Sequence, residues 1–582
     1  MYSKKNITVL ILLLGVALVF SFAGFAQDEK VKKLPREETL YLSGIQWGPP
    51  ETWSPIAAEG TWPVANRGDE LLYETLFAYN MLNSELEPLL AESYEWIDDL
   101  TVEIYLNETA HWNNGDPVTA EDVVYTFSLG DKYSLEYSDM WDYVDRVSSV
   151  DEHTVQIKMK KDNPNRFVVL DKLVYVWIMP KSVIQEVEEK YDEDLVKIRS
   201  NWKNEDPVAS GPYELYSFNS QRVVLRRNEN YWGDDIWGEP KPKYFVHPIF
   251  KSNDAGNRAF EKGQVDVSQQ FMPQIWETWL VKELPVKTWY SDQPYHVPFQ
   301  FPSLRLNLHM KPMDDPQFRR ALAHAIDYTK IAQLAMTRYS DTMQPGLVLP
   351  FGSEEKYLVE EDQEKYGWEY DPEKAEEILQ EAGYTKGSDG WYDTPDGEDI
   401  GPLTVECPYG WTDWNVSLKI VAQGARQVGI NMKTKFPEFP EWFARLQKGD
   451  FELAMWSPVQ EPSPAQPWRK FERAMGSIGL PEMGQIAYHN YGRYRKEKVN
   501  EIIMELPKMT EESERDEAIK ELNKIFMQDI PMIPLEYRPY QFYEVNESYW
   551  KNFPTADNPY APPTVASFGA GIRTIYNIEP VE

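Results

Sequence analysis

Segments with a strand pattern alternate with segments with a helix pattern between residues 300 and 540, and this alternation strongly constrains the fold. Short apolar runs such as 301–310 and 448–458 are typical of buried strands. The spacing of apolar residues over 371–384 predicts an amphipathic helix that Gly383 ends. Alternating strands and helices bury their apolar faces best as helices packed on a mostly parallel sheet, so we predict an α/β fold.

Residues 90–230 are richer in strand patterns than the rest of the chain. Within them, Asn114 and Gly115 form a strong turn dipeptide. Thr119 then predicts the N-cap of a helix that buries one face. We further predict a hairpin over 209–233, helices over 70–80 and 315–336, and a helix followed by a strand over 417–433.

The length and charge of the chain exclude several classes of protein. A chain of 582 residues is too long for one hydrophobic core and indicates two or more domains. The net charge of −35 repels phosphate backbones and anionic lipid, which argues against nucleic-acid binding. The single cysteine, Cys407, excludes an internal disulfide, and the seven histidines lack the spacing of a metal site. We therefore predict no metal and no cofactor.

The first 26 residues have the pattern of a signal peptide. Lys4 and Lys5 precede an apolar stretch, and the small residues Gly24 and Ala26 suit a signal peptidase that cleaves after Ala26. An uncleaved N-terminal anchor is the alternative. No cysteine is present there for lipid attachment, and no later window of about 18 apolar residues follows. We expect a periplasmic or secreted protein that is not embedded in a membrane after cleavage.

Eight sequence blocks spread over nearly the whole chain occur in an order that is similar to one protein family. The blocks are HWNNGDPVTAEDVVYTF, SGPYELYSF with VVLRRNENYWG, AGNRAFEKGQVDV, FRRALAHAIDYTKI, YDPEKAEEILQEAGY, ARQVGINMK, KGDFELAMW and FMQDIPMIPLEYRPY. This set resembles the family 5 solute-binding proteins, which serve ABC importers for oligopeptides, dipeptides, nickel and oligosaccharides. Within that family the sequence is most similar to the cello- and manno-oligosaccharide binders of thermophilic bacteria.

The resemblance implies a periplasmic-binding-protein-like fold of type II, in which two α/β lobes close on a ligand and an extra domain is inserted near the start. It places the helix after Thr119 in the inserted domain, away from the ligand, so that His111 and Asp116 are not site residues. The implied domains are the signal peptide 1–26, lobe I over 27–65, 205–300 and 541–582, the inserted subdomain 66–204, and lobe II over 301–540.

Aromatic residues make up 14% of the chain and include 21 tryptophans, many of which are expected to be core residues. Trp47, Trp53 and Trp62 lie in the first long loop, and Trp411 and Trp414 lie in the segment YGWTDWN. A pyranose ring offers an apolar C–H face and a rim of hydroxyls, so it suits aromatic platforms flanked by polar side chains. The segment YGWTDWN supplies both kinds of residue.

The resemblance also indicates which loops reach the ligand. Peptide binders of this family carry an Asp-containing ADY motif after the strand that matches DFELAMW, and it holds the peptide's ammonium group. Here the loop reads SPVQEPSPAQPWR, and Glu461 is its nearest acidic residue, which counts against a peptide ligand. Ser268 starts the loop that matches a second cleft segment. The predicted ligand-binding residues are Glu59, Thr61, Trp62, Gln269, Gln270, Phe271, Trp411, Asp413, Trp414, Trp456, Glu461, Trp468 and Arg469.

We therefore predict a monomeric, non-enzymatic binding component of an ABC importer, which captures β-linked gluco- or manno-oligosaccharides and delivers them to the permease subunits. An oligopeptide-binding protein of the same family is the alternative. A secreted glycoside hydrolase would need two carboxylates about 5–9 Å apart, and acid counting alone does not exclude it. Nickel binding and a role in feeding a sensor protein stay open. The aspartates of 388–399 lack the spacing of a calcium loop.

Overall fold

The computed structural model describes residues 34–46, 48–57, 61–63, 70–458, 462–566 and 568–581, apart from the side chain of Pro440. The predicted signal peptide lies outside these residues. So do Trp47, Glu59 and Glu461.

The strands in chain order are β1 Thr39–Ser43, β2 Phe77–Asn80, β3 Glu85–Pro88, β4 Ala91–Asp98, β5 Thr101–Leu106, β6 Val144–Ser149, β7 Thr154–Met159, β8 Tyr213–Asn219, β9 Arg222–Arg227, β10 Tyr244–Pro248, β11 Val267–Ser268, β12 Val286–Lys287, β13 Ser303–Leu306, β14 Thr385–Lys386, β15 Tyr392–Asp393, β16 Leu403–Glu406, β17 Met432–Lys435, β18 Leu453–Trp456, β19 Met532–Pro534, β20 Glu544–Asn546, β21 Trp550–Lys551 and β22 Glu579–Pro580.

The α-helices in chain order are α1 Ala120–Lys132, α2 Arg166–Tyr175, α3 Lys181–Lys190, α4 Leu195–Asn201, α5 Asp234–Trp237, α6 Asn253–Glu261, α7 Glu277–Leu280, α8 Pro316–His324, α9 Tyr328–Lys330, α10 Glu360–Tyr366, α11 Pro372–Glu381, α12 Thr412–Gln427, α13 Phe439–Lys448, α14 Trp468–Met475, α15 Glu497–Glu505, α16 Glu512–Asp529 and α17 Thr574–Asn577.

Three larger sheets organise these elements. The lobe I sheet has seven strands in the order β12-β20-β11-β1-β10-β9-β8, and the lobe II sheet has five in the order β17-β16-β18-β13-β19. The third sheet is antiparallel, in the order β4-β5-β7-β6, and lies within residues 66–204, the region predicted as the inserted subdomain, a name that we keep for it. The chain leaves the lobe I sheet after β1, returns at β8, and comes back from the lobe II sheet at β20. The domain boundaries given above stay predictions.

The predicted turn and capped helix of the inserted subdomain are confirmed. Gly115 has a φ of +89°, which suits the turn. Thr119 and Asp122 form a capping box, in which the Thr119 backbone N–H donates to Asp122 Oδ2 over 2.9 Å. The helix α1 then buries Val123 and Phe127 in the core. Local signals alone therefore determine this helix.

Three sequence predictions need correction. The region 70–80 is not a helix, because its second half forms β2 and pairs with β3. The predicted helix 315–336 ends at His324, and the side chain of Asp327 caps a new helix by accepting from the Lys330 N–H. In YGWTDWN, the helix α12 begins at Thr412, so the residues after it lie on a helix rather than in a loop.

Two connecting segments, 288–302 and 535–543, join the two large sheets. They run side by side, since the Leu535 N–H donates to the Pro302 carbonyl over 2.9 Å and the Arg538 N–H donates to the Gln300 carbonyl over 3.1 Å. Tyr339, which follows α9, is fully buried beside them. Its hydroxyl donates to the carbonyl of Met272, a residue of lobe I. The lobes are therefore anchored to each other next to the connecting segments.

Candidate functional site

The strand order of the lobe II sheet indicates where a ligand binds. Strands β16, β17 and β18 are parallel, and the chain passes from β16 through α12 to β17, then through α13 to β18 on the other side of β16. The order reverses between β16 and β18, and ligands of open α/β sheets bind at the carboxyl ends of strands at such a point. Two segments, 407–411 and 456–458, leave the sheet there.

Trp411 and Trp456 of these segments pack with aromatic side chains of α12 and α13 in what we call the tryptophan cluster: Trp411, Trp414, Phe439, Trp442, Phe443 and Trp456. The indoles of Trp411 and Trp456 are stacked, with centroids 6.1 Å apart and an angle of 25°. Trp414 meets both edge-on, at 4.8 and 6.2 Å. Trp414 and Trp442 are buried, whereas Trp411 and Trp456 stay partly exposed. The cluster therefore supports two indoles whose remaining exposed surface can stack on a ligand.

A cavity of about 300 Å³ adjoins Trp456, and we call it the Trp456 cavity. One wall belongs to lobe II and includes polar side chains that follow β18, among them Gln466, Arg469 and Arg473. The opposite wall comes from the inserted subdomain and consists of Glu136, Asp139, Asp171, Lys172 and Tyr175. The resemblance placed this subdomain away from the ligand, whereas its side chains line a cavity beside the tryptophan cluster.

Four charged groups in the cavity walls form two ion pairs. Asp171 Oδ2 lies 3.3 Å from Arg469 Nη2, and Asp139 Oδ1 lies 2.8 Å from Lys172 Nζ. Burial opposes ionisation of Asp139, but the Lys172 ammonium outweighs it and lowers the pKa of this carboxyl. Burial also opposes the charge of Arg469, yet the carboxylates of Asp171 and Glu472 raise its pKa. The opposite charges of each pair offset one another, which leaves polar walls suited to a ligand without a strong net charge.

A family model agrees with this architecture. The model named "Bacterial extracellular solute-binding proteins, family 5 Middle" matches residues 85–470 of the chain. The chain belongs to the family 5 extracellular solute-binding proteins. Members of this family are solute-binding components of ABC importers, which is a transport role and not a catalytic one.

Solved and curated family 5 proteins cover nearly the whole chain. The crystal structure of an oligopeptide ABC transporter periplasmic oligopeptide-binding protein from Thermotoga maritima is 32% identical, covers 94% of this chain and 100% of that chain, and gives a TM-score of 0.86. The same protein bound to mannohexaose gives a TM-score of 0.81, with 94% and 99% covered. The "Probable peptide-binding protein YejA" of Agrobacterium fabrum is 24% identical over 568 residues, which are 90% of this chain and 88% of that protein.

The predicted site residues of lobe I that the structure describes are buried inside this family 5 protein. The Thr61 hydroxyl accepts from the Glu51 and Thr52 N–H groups, and Trp62 is fully buried with its ring 5.0 Å from the His247 ring. The Trp62 indole N–H donates to the Ala566 carbonyl over 3.4 Å. Both side chains therefore serve packing here, and their role in ligand binding stays a prediction.

The loop after β11 is buried in the same way. Gln269 is only 3% exposed, and its side-chain amide donates to the Val565 carbonyl over 2.6 Å. Gln270 donates to Asn257 Oδ1 over 2.8 Å. The Oε1 atoms of both glutamines are buried without a partner among the described atoms. Phe271 packs against Tyr339 at 5.6 Å. The glutamines thus retain free acceptors that a rearranged loop could offer to hydroxyl groups.

The remaining predicted residues belong to lobe II. Trp468 is buried, and its indole donates to the Ile503 carbonyl over 2.9 Å, so it packs inside the lobe. Asp413 is 7% exposed and lies 3.3 Å from Arg538 Nε of the second connecting segment. Of the predicted ligand residues, the structure brings Trp411, Asp413 and Trp414 to one end of α12 and brings Trp456 beside Trp411.

Sequence reasoning missed several residues near the site. Asp171 and Tyr175 were not predicted as site residues, because the sequence of α2 has only the pattern of an ordinary helix packed on a core. Glu536, in the second connecting segment, is 1% exposed beside Asp413. Burial first, and then the Asp413 charge, raise the pKa of Glu536 to about 8. The sequence feature that points to Glu536 is its position as an acidic residue within the apolar run IPLEYRP.

Over the described ranges, no three histidine, cysteine or acidic side chains come together as they would around a metal ion. Within the same part of the chain, no helix combines the length and the apolar composition needed to cross a bilayer.

Proposed function

We propose that this protein binds oligosaccharides, with β-linked gluco- or manno-oligosaccharides favoured, and delivers them to the permease of an ABC importer. The observation that carries the proposal is the stack of two partly exposed indoles, Trp411 and Trp456, beside a polar cavity whose charges are paired. An indole face accepts the C–H face of a pyranose, and polar walls accept its hydroxyls. A relative at 32% identity was solved with mannohexaose, which supports this ligand class.

An oligopeptide is the second candidate, since several relatives are named as peptide-binding proteins. A peptide's ammonium group needs a carboxylate that no other cation occupies. Asp139 and Asp171 in the cavity walls are already engaged by Lys172 and Arg469. The adjoining Glu472 lies 3.5 Å from Arg473 Nε. These pairs favour a neutral ligand, while Glu461 lies outside the described residues and is the acid that would support a peptide.

The mechanism follows from the two-lobe fold. A sugar that contacts the tryptophan cluster and the opposite lobe together binds the closed form more tightly than the open form, so it shifts the population towards closure. The closed lobes then present one surface to the permease. We place the protein in the periplasm or outside the cell, as a monomer, and the Thermotoga maritima relative is named periplasmic.

Thermal melting against a ligand panel tests the ligand class. The panel holds cello-, manno- and xylo-oligosaccharides, laminaribiose, and tri- to pentapeptides. A ligand at a hundred times its dissociation constant adds about 2.7 kcal/mol to the free energy of unfolding. We expect one sugar series to raise the melting temperature and the peptides to leave it unchanged. A shift with peptides alone would overturn the proposal.

Replacing Trp456 with alanine tests the platform itself. A tryptophan at the centre of a binding site contributes about 2 kcal/mol or more, so we expect the Trp456→Ala variant to bind the active sugar about 30-fold more weakly by calorimetry. Trp456→Phe keeps an aromatic face and should lose less. The matched control is Trp96→Ala, which removes a partly buried indole from the four-stranded sheet and should leave the affinity unchanged. Equal affinities for wild type and Trp456→Ala would contradict the platform.

A further inference from the structure

The helix α2 of the inserted subdomain faces lobe II with one continuous stripe. Phe167, Asp171 and Tyr175 are spaced at i, i+4 and i+8, and residues with this spacing lie on the same side of a helix. The ring of Phe167 packs 5.7 Å from that of Trp468. Asp171 pairs with Arg469 over 3.3 Å. Phe167 and Asp171 therefore contact the start of α14, and Tyr175 contacts Pro462 in the segment that precedes it.

Tyr175 is the member of the stripe where three parts of the molecule meet. Its hydroxyl donates to the Pro462 carbonyl of lobe II. Its ring lies 5.2 Å from Phe568, in the C-terminal part of lobe I. Tyr175 also lines the Trp456 cavity. One turn earlier, Asp171 accepts a hydrogen bond from the Ser463 hydroxyl. Asp171 and Tyr175 thus close the side of the cavity that they line.

The size of the cavity limits what it can hold. Pockets for small molecules range over roughly 300–1,000 Å³, and the Trp456 cavity, at about 300 Å³, is at the lower end. It has room for a short piece of a carbohydrate chain only. Trp456 lines the cavity, whereas its stacking partner Trp411 lies outside it. A chain that contacts both indoles therefore runs from Trp411 past Trp456 towards the cavity.

From this arrangement we propose that α2 is the end stop of the binding site and that Tyr175 is a specificity-determining residue. The cavity takes one terminal sugar of an oligosaccharide, and the stripe blocks any group attached beyond it. The protein therefore recognises chain ends and rejects oligosaccharides that carry a substituent at that end. This inference rests on the proposed function, because it concerns the same ligand.

The test compares free and end-blocked sugars by calorimetry. The probes are cellotetraose and mannotetraose, each unmodified, carrying a 4-nitrophenyl group as a β-glycoside at the reducing end, or carrying a 4,6-O-benzylidene group at the non-reducing end. For wild type, we expect one of the two blocked forms to bind about 30-fold more weakly than the unmodified tetraose. This is the loss of affinity expected when a contact at the centre of a binding site is removed. Tyr175→Ala should remove most of this difference.

Two variants separate the end stop from a general loss of structure. Tyr175→Phe keeps the ring and removes the hydroxyl that donates to the Pro462 carbonyl, so it should discriminate as wild type does. Tyr191→Ala removes another partly buried tyrosine of the inserted subdomain that does not line the cavity, and it should also behave as wild type. If circular dichroism shows that Tyr175→Ala is not folded, the affinities of wild type for the free and blocked sugars still test the end stop.

Different results overturn different statements. If wild type binds a tetraose and both of its blocked forms with equal affinity, the end stop is wrong while sugar binding stands. The end stop is also wrong if Tyr175→Ala discriminates as strongly as wild type. If neither tetraose binds and tri- to pentapeptides do, the proposed function fails and the end stop fails with it.

Discussion

Replacing Lys470 with methionine is expected to lower the free energy of unfolding by about 3–5 kcal/mol, because it leaves a buried carboxylate without its cation. Lys470 lies on α14, and its Nζ is 2.7 and 2.5 Å from the two carboxylate oxygens of Glu354. Their side chains are 4% and 8% exposed. Burial lowers the pKa of Lys470, and the carboxylate of Glu354 opposes this effect. Chemical denaturation of the wild type and the Lys470→Met variant gives the difference.

Two controls accompany this measurement. Adding Glu354→Gln to Lys470→Met removes the stranded charge and should recover a large part of the loss, as expected when the penalty comes from an unpaired ion. Lys374→Met removes one partner of an exposed pair with Glu377 and should leave the stability unchanged. A Lys470→Met variant as stable as wild type would show that the interior accepts the lone carboxylate, and it would contradict the prediction.

The elements that the sequence predicted correctly are those defined by local interactions. The helix α1 begins with the capping box of Thr119 and Asp122, and α11 ends two residues before Gly383, whose φ is +89°. The region 70–80 was predicted wrongly because its strand β2 depends on pairing with β3, an interaction that helical spacing does not reveal. Pairing overrode the local helical pattern there.

Long-range contacts explain which site residues sequence reasoning could find. Trp411 and Trp456 stood out because they are tryptophans in polar surroundings at strand ends, and the structure stacks them. The burial of Trp62 depends on Ala566, which is 504 residues away in sequence. The second wall of the Trp456 cavity depends on the pair of Asp171 and Arg469, which are 298 residues apart. No periodicity in the sequence marks contacts of this range.

The second large effect concerns Glu536, at the junction of the lobes. Burial and the neighbouring Asp413 carboxylate raise its pKa from 4.5 to about 8, and the Ser417 hydroxyl and the Arg538 guanidinium oppose this shift. Ser417 donates to Glu536 Oε2 over 2.5 Å, while Glu536 Oε1 is buried and has no hydrogen-bond partner in the described part of the chain. The native protein therefore keeps the proton on Glu536 at neutral pH, whereas the unfolded chain releases it near its ordinary pKa.

This difference sets the sign of the pH dependence. Between pH 4.5 and 8 the native state holds a proton that the unfolded state lacks, so the free energy of unfolding falls as pH rises. One proton corresponds to a slope of up to about 1.4 kcal/mol per pH unit. Glu536→Gln imitates the protonated carboxyl and does not titrate. The variant should equal wild type near pH 4.5 and become progressively more stable than wild type up to pH 8.

Denaturation curves measured from pH 4.5 to 9 test this expectation directly. The difference between Glu536→Gln and wild type should widen across the window and become constant above pH 8, where both states of the wild type have lost the proton. Glu517→Gln, which changes an exposed acid on α16, should run parallel to wild type and serves as the matched control. Parallel curves for Glu536→Gln would mean that Glu536 is ionised in the native state, held by Arg538. Two carboxylates, those of Asp413 and Glu536, would then share the Arg538 guanidinium in the second connecting segment, and raising the pH would not weaken this contact.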